Sequence, residues 1–307
     1  MRKAFMEALV QCAREDAKLW LLTGDLGYGV LDAFAAAFPQ RFVNVGVAEQ
    51  NMIGVAAGLA LSGKNVFVYS IANFPTFRCL EQIRNDVCFH RANVKIVAVG
   101  GGYVYGTHGY THHAVEDLAI MRALPEMVVA APGDPAEAAI ITRTLAARPG
   151  PAFLRLGKAG DVRVHGDLAA FPLGQALTVR RGDDATIICT GGMLKTAVDA
   201  AEGLATQGLG VGVISMPYLK PLDGDAILAA ARHSRAIVTA EEHSITGGLG
   251  SAVAEVLAES LAAGTLGVMP KFRRFGVADA LHHEVGSQSF LVSRLGDLGQ
   301  VVRETLG

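Results

Sequence analysis

The 307-residue sequence has little cysteine, and its cysteines show no spacing typical of a metal site or a disulfide framework. There are four, without a Cys-x-x-Cys pair: Cys12, Cys79, Cys88 and Cys189. The first twenty residues read as an amphipathic helix with interspersed acids rather than as a signal peptide. We therefore expect free thiols in a reducing compartment and a cytoplasmic location.

The sequence also lacks an excess of either charge. It has 27 basic and 29 acidic residues, a net charge of -2 and no run of like charges, so we expect neither nucleic acid nor a membrane surface as a partner. No apolar run reaches the ~18 residues that a membrane span needs. With 51% hydrophobic residues, the chain is typical of a globular protein with sizeable cores.

Short β-branched runs alternate with Ala-rich stretches along the whole chain, which predicts an α/β fold of two doubly wound domains. Six strand candidates precede residue 157 and four follow residue 185, and their continuous hydrophobicity is typical of strands buried on both faces of a mainly parallel sheet. Between them lies a stretch rich in Gly, Pro and Asp without long periodic segments. We predict a larger domain over 1–160, a linker over 161–174 and a smaller α/β domain over 175–307.

The segment "VNVGVAEQNMIGVAAGLALSGKNVFVYS" places one carboxylate, Glu49, between a short strand and a Gly- and Ala-rich helix. Amide dipoles of the first helical turn favour an ionised acid there by roughly 0.3 to 1 kcal/mol. Taken alone, Glu49 is explained as an ordinary helix start. Gly54 and Gly58, spaced as GxxxG on that helix, predict close packing against a neighbouring element.

Several ordered motifs resemble those of the transketolase family. The Glu49 segment resembles its pyrimidine-binding domain, and the likeness continues through "TGDLG", "PTFRCLEQIRNDV", "GTHGYTHHAVEDLAIMRALPEMVVAAPGDPAEA" and "PAFLRLGK". The stretch "AIVTAEEHSITGGLGSAVAEVL" looks like the C-terminal domain of the same family. The resemblance covers nearly the whole chain and implies a thiamine-diphosphate pyrimidine-binding domain followed by a transketolase C-terminal-like domain.

The resemblance implies a set of cofactor-binding residues. Glu49 matches the acid that hydrogen-bonds the aminopyrimidine ring of thiamine diphosphate and activates the cofactor, and Phe77 matches an aromatic that stacks on that ring. Leu80 and Ile83 stand where the family often adds two more aromatics, and they are expected to form apolar walls. Asp25 in "TGDLG" matches an acid near the cofactor. Plain core packing for Phe77 and a strand-end turn for Asp25 remain as alternatives.

The histidine segment "GTHGYTHH" is expected to meet the substrate. In the resemblance, His112 matches a histidine that faces the substrate and moves protons, a task that suits an imidazole because its ordinary pKa is ~6.5. His108 stands where the family carries an Asp that recognises a substrate hydroxyl, which puts a standard pentulose phosphate donor in doubt. Metal binding by His108 and His112 is the alternative, but Gly109 between them argues against a shared helix face. We expect no metal ligands in this chain.

Cationic residues for a substrate phosphate are only partly kept. Gly100 stands in place of a transketolase histidine that helps to hold the phosphate. Lys158 in "LRLGK" and Arg2 in "MRKAF" remain as cationic matches and are expected to bind substrate.

The family's diphosphate-binding motif, GDG followed by Asn roughly thirty residues later, is missing from the sequence. The chain therefore resembles the C-terminal subunit of a split transketolase. The resemblance implies an N-terminal partner subunit that holds the diphosphate through Mg²⁺, and we expect the two kinds of subunit to form a heterotetramer. The expected activity is transfer of a two-carbon ketol unit between sugar or sugar phosphate substrates, with Glu49 and His112 as catalytic residues. The alternatives are a pyruvate-using acyl transferase, as in 1-deoxyxylulose 5-phosphate synthase or the 2-oxo-acid dehydrogenase beta subunit, and a non-catalytic homologue.

Overall fold

The computed structural model describes residues 1–157 and 162–307 and contains two sheets. The strands of the first sheet are β1 Leu19–Thr23, β2 Phe42–Asn44, β3 Asn65–Ile71, β4 Val94–Val99, β5 Val128–Ala130, β6 Ala152–Leu156 and β10 Tyr218–Lys220. Those of the second are β7 Leu177–Arg180, β8 Ala185–Cys189, β9 Val211–Ser215, β11 Ala236–Ser244 and β12 Lys271–Val277.

Twelve helices join these strands in the described ranges. They are α1 Arg2–Glu15, α2 Asp32–Ala37, α3 Glu49–Leu61, α4 Asn73–Thr76, α5 Leu80–Gln82, α6 Asp117–Ala123, α7 Pro135–Ala147, α8 Met193–Ala205, α9 Gly224–His233, α10 Leu249–Ala262, α11 Gln288–Ser293 and α12 Leu298–Leu306. A π-helical turn, Ile83–Cys88, continues α5, and three short 3-10 turns lie at Pro39–Arg41, Gly106–His108 and Tyr110–His112.

Parallel pairing dominates both sheets, whose strand orders are β10-β5-β6-β4-β3-β1-β2 and β12-β11-β8-β9-β7. The predicted α/β fold with mainly parallel sheets is confirmed. The exceptions are β10, antiparallel to β5, and β7, antiparallel to β9. These are also the two strands that the sequence pattern does not predict: β7 is a partly exposed edge strand, and β10 is ordered by pairing with the edge of β5.

Both faces of the first sheet are buried, as continuous apolar strands require. Successive residues of a strand point to opposite faces. Thus Val68 of β3 packs in the cluster that contains Met52 and Ile53 of α3, whereas Phe67 packs in the cluster that contains Phe5 of α1 and Ile141 of α7. The helices on the two faces therefore follow from the register of the strands.

Strand β10 belongs to the second half of the chain but completes the first sheet. Tyr218 pairs with Ala130, and the Ala131 N–H donates to the Pro217 carbonyl at 2.8 Å. An open edge of β5 would leave backbone groups unpaired, and β10 covers it. The range 175–307, predicted as a separate domain, thus contributes one strand to its neighbour.

The four cysteines are free thiols, as expected. No helix in the two described ranges is long and apolar enough to cross a membrane.

Candidate active site

The candidate site lies at one edge of the first sheet. Strands β1, β2, β3 and β4 are parallel neighbours, so their carboxyl ends meet at the same edge, where ligands of open α/β sheets bind. Asp25 follows β1, Glu49 follows β2, Phe77 follows β3, and His108 and His112 follow β4. The topology brings these five predicted residues from four separate segments toward one edge.

Glu49 is the first residue of α3, and its side chain is only 3% exposed. Its Oε2 accepts a hydrogen bond from Arg78 Nη1 at 3.0 Å, and no residue in the described ranges donates to Oε1. The N-terminus of α3 has no side-chain cap, so Glu49 does not serve as one. One carboxylate oxygen is held in place while the other keeps its acceptor positions, which suits a carboxylate that must bind a ring nitrogen.

Asp25 is exposed and lies in a turn with φ of 58°. Its Oδ1 accepts hydrogen bonds from the Tyr28 hydroxyl at 2.7 Å and from Asn44 Nδ2 at 2.9 Å, which lower the pKa of the carboxyl. Asn44 Oδ1 in turn accepts from the Asp25 N–H at 3.0 Å, so Asn44 ties the end of β1 to the end of β2. This is the turn role that the sequence left open for Asp25, and its place near a cofactor stays a prediction.

A cleft of about 510 Å³ lies beside Glu49's partner Arg78. It is lined by Asn73, Phe74, Phe77, Arg78, Tyr110, Thr111, His113, Glu116 and Ile120. Phe77 is half-buried there. Leu80 and Ile83, predicted as apolar walls, are placed differently: Ile83 has no exposed surface and packs in the core, and Leu80 packs against that core. Phe74 and Ile120 supply apolar wall in this cleft.

The loop that carries the histidines is closed at its base and held from the side. The Gly102 N–H donates to the Ala114 carbonyl at 2.7 Å, and the Ala114 N–H donates back at 2.9 Å. Asn73, at the start of α4, donates from Nδ2 to the carbonyls of Thr111 at 3.1 Å and His113 at 2.8 Å. These bonds fix the loop against the element that bears Phe77.

A buried ion pair anchors the same loop to the second sheet. Arg155 Nε lies 3.1 Å from Asp117 Oδ2, with side-chain exposures of 7% and 0%. Arg155 Nη2 also donates to the carbonyls of Ala114 at 2.7 Å and Glu242 at 2.9 Å. One guanidinium thus joins β6, the loop base and β11.

His108 and His112 lie side by side, with ring centroids 4.9 Å apart. The His112 ring also meets Phe74 edge-on at 5.3 Å. Burial, followed by the neighbouring His108, lowers the pKa of His112. A neutral imidazole at neutral pH can accept a proton from a substrate hydroxyl. In the described part of the chain, His108 and His112 do not join a cluster of three metal-ligating side chains.

Tyr105 occupies the space beside Gly100. Gly100 has φ of 82°, and a Cβ added there would overlap the Tyr105 ring. That ring in turn lies edge-on to His108 at 5.9 Å and to His112 at 6.4 Å. Tyr105 therefore fills the position in which the resemblance places a phosphate-binding histidine.

Of the two predicted cationic residues, Arg2 lies within the described residues and Lys158 does not. Arg2 begins α1 and lies near the buried Tyr69, whose pKa burial raises to about 12 while Arg2 opposes part of that shift. Lys158 lies outside the described residues.

Sequence reasoning missed three residues that build this site: Arg78, Tyr105 and Asn44. Arg78 stands next to Phe77 in "PTFRCL", but its ion pair with Glu49 spans 29 residues, and no local sequence pattern indicates such a contact. Tyr105 could have been found from Gly100, since a glycine in place of a functional side chain leaves room for another ring.

Two closely matching family models cover most of the chain. The model of the transketolase pyrimidine-binding domain matches residues 1–160, and that of the transketolase C-terminal domain matches residues 174–289. These two matches assign a family to this two-domain α/β protein, whose acid, aromatic side chain and histidines lie at one sheet edge. The chain belongs to the transketolase family.

Relatives of similar length support the assignment. The chain is 40% identical over 282 residues to a putative transketolase C-terminal section from Methanocaldococcus jannaschii, covering 91% of this chain and 86% of that protein. It is 38% identical over 297 residues to a 6-deoxy-6-sulfo-D-fructose transketolase subunit from Clostridium sp., covering 96% and 90%. A solved split-gene transketolase, an inactive beta4 tetramer, matches with a TM-score of 0.86 and 38% identity, covering 99% and 96%.

Proposed function

We propose that this chain is one subunit of a thiamine diphosphate-dependent, transketolase-like enzyme that transfers a two-carbon ketol unit between sugar or sugar phosphate substrates. The observation that carries the proposal is the buried Glu49, with one oxygen held by Arg78 and the other without a donor in the described ranges. When bound, the cofactor supplies the carbon nucleophile that accepts the two-carbon unit. Glu49 binds the pyrimidine nitrogen, and Phe77 packs against the ring.

The histidine loop is proposed to hold the substrate. His112, whose pKa is lowered, accepts and returns the proton of a substrate hydroxyl. His108 lies against it and donates or accepts a hydrogen bond at the position where the family carries an acid. Arg2, and Lys158 by the resemblance, are proposed to attract an anionic group of the substrate. An imidazole in place of an acid changes which substrate group can be recognised, so substrate choice is expected to depend on His108.

A second polypeptide is proposed to complete the site. The sequence lacks the diphosphate-binding motif, and two apolar side chains at the candidate edge are widely exposed, Tyr28 at 76% and Val47 at 75%. We infer an N-terminal partner subunit that holds the diphosphate through Mg²⁺, in a heterotetramer of two chains of each kind.

The test is to purify this chain alone and with the partner subunit. Calorimetry with thiamine diphosphate and Mg²⁺ should show weak binding to the isolated chain and tight binding to the complex. Turnover should be confined to the complex and should use hydroxypyruvate as donor. Tight, Mg²⁺-dependent binding to the isolated chain would contradict the split-subunit proposal, and turnover with pyruvate alone would support the acyl-transferase alternative. A complex that never binds the cofactor would support a non-catalytic homologue.

A further inference from the structure

A second cluster of ionisable side chains lies away from the candidate active site. Asp134, Glu137 and His165 each offer one ligand-type atom, and these atoms lie within 4.8 Å of one another. Both carboxylate side chains are 0% exposed, and the His165 side chain is 11% exposed. Within residues 1–157 and 162–307, no other group of three such side chains comes as close together. None of the roles assigned above uses it.

The Nε2 atom of His165 is buried and has no hydrogen-bond partner in the described residues. Its Nδ1 atom is buried as well and faces both carboxylates, 3.2 Å from Asp134 Oδ2 and 3.7 Å from Glu137 Oε1. A buried nitrogen that is left unpaired is costly. Two ligands on a tetrahedral ion with bonds of ~2.0–2.1 Å lie about 3.3 Å apart, near the 3.7 Å between His165 Nδ1 and Glu137 Oε1.

The two carboxylates are held by donors but keep acceptor positions. Asp134 accepts the N–H groups of Glu137 at 2.9 Å, Val164 at 3.0 Å and His165 at 2.8 Å. An ionised carboxylate offers about two acceptor positions on each oxygen, and Val164 and His165 take both on Oδ2, so the position that remains is on Oδ1. These N–H donors fix the orientation of the Asp134 carboxylate, as hydrogen-bond partners of a metal ligand commonly do.

Hydrogen-bond donors hold the Glu137 carboxylate in the same way, and more of its acceptor positions stay open. Its Oε2 accepts the Gly133 N–H at 2.5 Å, and its Oε1 accepts the Ser215 hydroxyl at 2.6 Å, which leaves about two acceptor positions. Ser215 ends β9 of the second sheet, whereas Asp134 caps α7 of the first domain. His165 comes from the segment between the two sheets, so the cluster joins three parts of the chain.

We propose that Asp134, Glu137 and His165 bind one divalent transition-metal ion as a structural centre at this junction. One imidazole nitrogen and two carboxylate oxygens match the donors of Zn²⁺, with a water completing four-coordination. The ion neutralises two buried acids and binds the Nδ1 atom of His165 that faces them. The competing account is a protonated His165 that serves as counter-ion to both acids and binds no metal.

The experiment is a Co²⁺ titration of the full chain after treatment with a chelator, followed by visible ligand-field absorption and by metal analysis. The wild type should bind one Co²⁺ per chain with a tetrahedral-type spectrum, and Zn²⁺ should displace it and raise the melting temperature. His165→Ala should weaken binding by about a hundredfold or more, since removing a ligand costs at least as much as removing its outer partners.

The control is His112→Ala, because His108 and His112 lie side by side with ring centroids 4.9 Å apart and could bind Co²⁺ themselves. This variant should keep the tight site. No saturable binding to the wild type, or equal binding by wild type and His165→Ala, would overturn the proposal in favour of the protonated imidazole. If His165→Ala does not fold, the wild-type stoichiometry and the melting shift with Zn²⁺ decide, and a shift of zero overturns the proposal.

Discussion

Replacing Arg78 by Met should destabilise the isolated chain through Glu49. Arg78 Nη1 lies 3.0 Å from Glu49 Oε2, a separation at which two charges attract by roughly 5 kcal/mol at an effective dielectric constant of ~20. The net value is smaller because the Arg78 side chain is 52% exposed and can be solvated when the pair breaks. Exposed pairs contribute about 0–1 kcal/mol, whereas breaking buried pairs costs about 3–5 kcal/mol. A half-buried pair should lie between them, at about 1–3 kcal/mol.

The assay is a double-mutant cycle measured by urea unfolding of wild type, Arg78→Met, Glu49→Gln and the double variant. The coupling energy should be about 1–3 kcal/mol and should fall as salt is added. The matched control is the pair Arg91 and Glu126, which has the same 3.0 Å separation but exposures of 74% and 45%. Its cycle should give less than about 1 kcal/mol. Equal coupling in both cycles would refute the reasoning that burial of Glu49 gives the first pair its strength.

Three further predictions concern pH, packing and specificity. Burial lowers the pKa of Lys95 to about 7, so between about pH 7 and pH 10 the unfolded chain, with a Lys pKa of ~10.4, binds more protons than the folded one. The free energy of unfolding of the wild type should therefore rise with pH across that window, by up to about 1.4 kcal/mol per pH unit. Urea unfolding of Lys95→Met should show no such rise, and the same slope in both proteins would contradict the role of Lys95. Gly100→Ala should lower the free energy of unfolding by about 2 kcal/mol or more, because Gly100 has a positive φ and an added Cβ would overlap Tyr105. Gly58→Ala should raise the free energy of unfolding by about 0.5–1 kcal/mol, because Gly58 is exposed on its helix with open space around it. Similar effects of the two changes would count against the packing described. In the complex, His108→Asp should shift kcat/KM toward ordinary sugar phosphates by about ten- to a hundredfold, and equal losses on every substrate would argue against a role in specificity.

Much of the fold could be predicted from the sequence because continuous apolar runs of β-branched residues mark buried parallel strands. The ten strands so predicted all form. Strand β10 could not be found in this way, since its three residues are ordered by the unpaired edge of β5, some ninety positions earlier in the chain. The close packing predicted from Gly54 and Gly58 is wrong for this chain, because outside their own helix no described residue has an atom within 4 Å of a Cβ added at either glycine.

The candidate site was predictable where a residue type and its place at a strand end carry the signal, as at Glu49 and Asp25. Contacts between distant segments carried no such signal. The ion pair of Arg78 with Glu49 joins the segment after β3 to the helix after β2, so it depends on how β1 places these two strands on its two sides. The Tyr105 ring lies beside Gly100 within a single loop after β4. The cluster of Asp134, Glu137 and His165 was missed for the same reason, because His165 comes 28 residues after Glu137.

The proposed activation of the cofactor by Glu49 can be measured through exchange of the thiamine diphosphate C2 proton. The measurement is NMR of C2 proton exchange in the complex of this chain with its partner subunit, for wild type and Glu49→Gln. The amide is nearly isosteric but cannot support the required tautomer of the pyrimidine, so exchange should slow by at least about a hundredfold while assembly and cofactor binding persist. Exchange at the wild-type rate in a Glu49→Gln complex that binds the cofactor would contradict the account and leave Glu49 as a buried partner of Arg78.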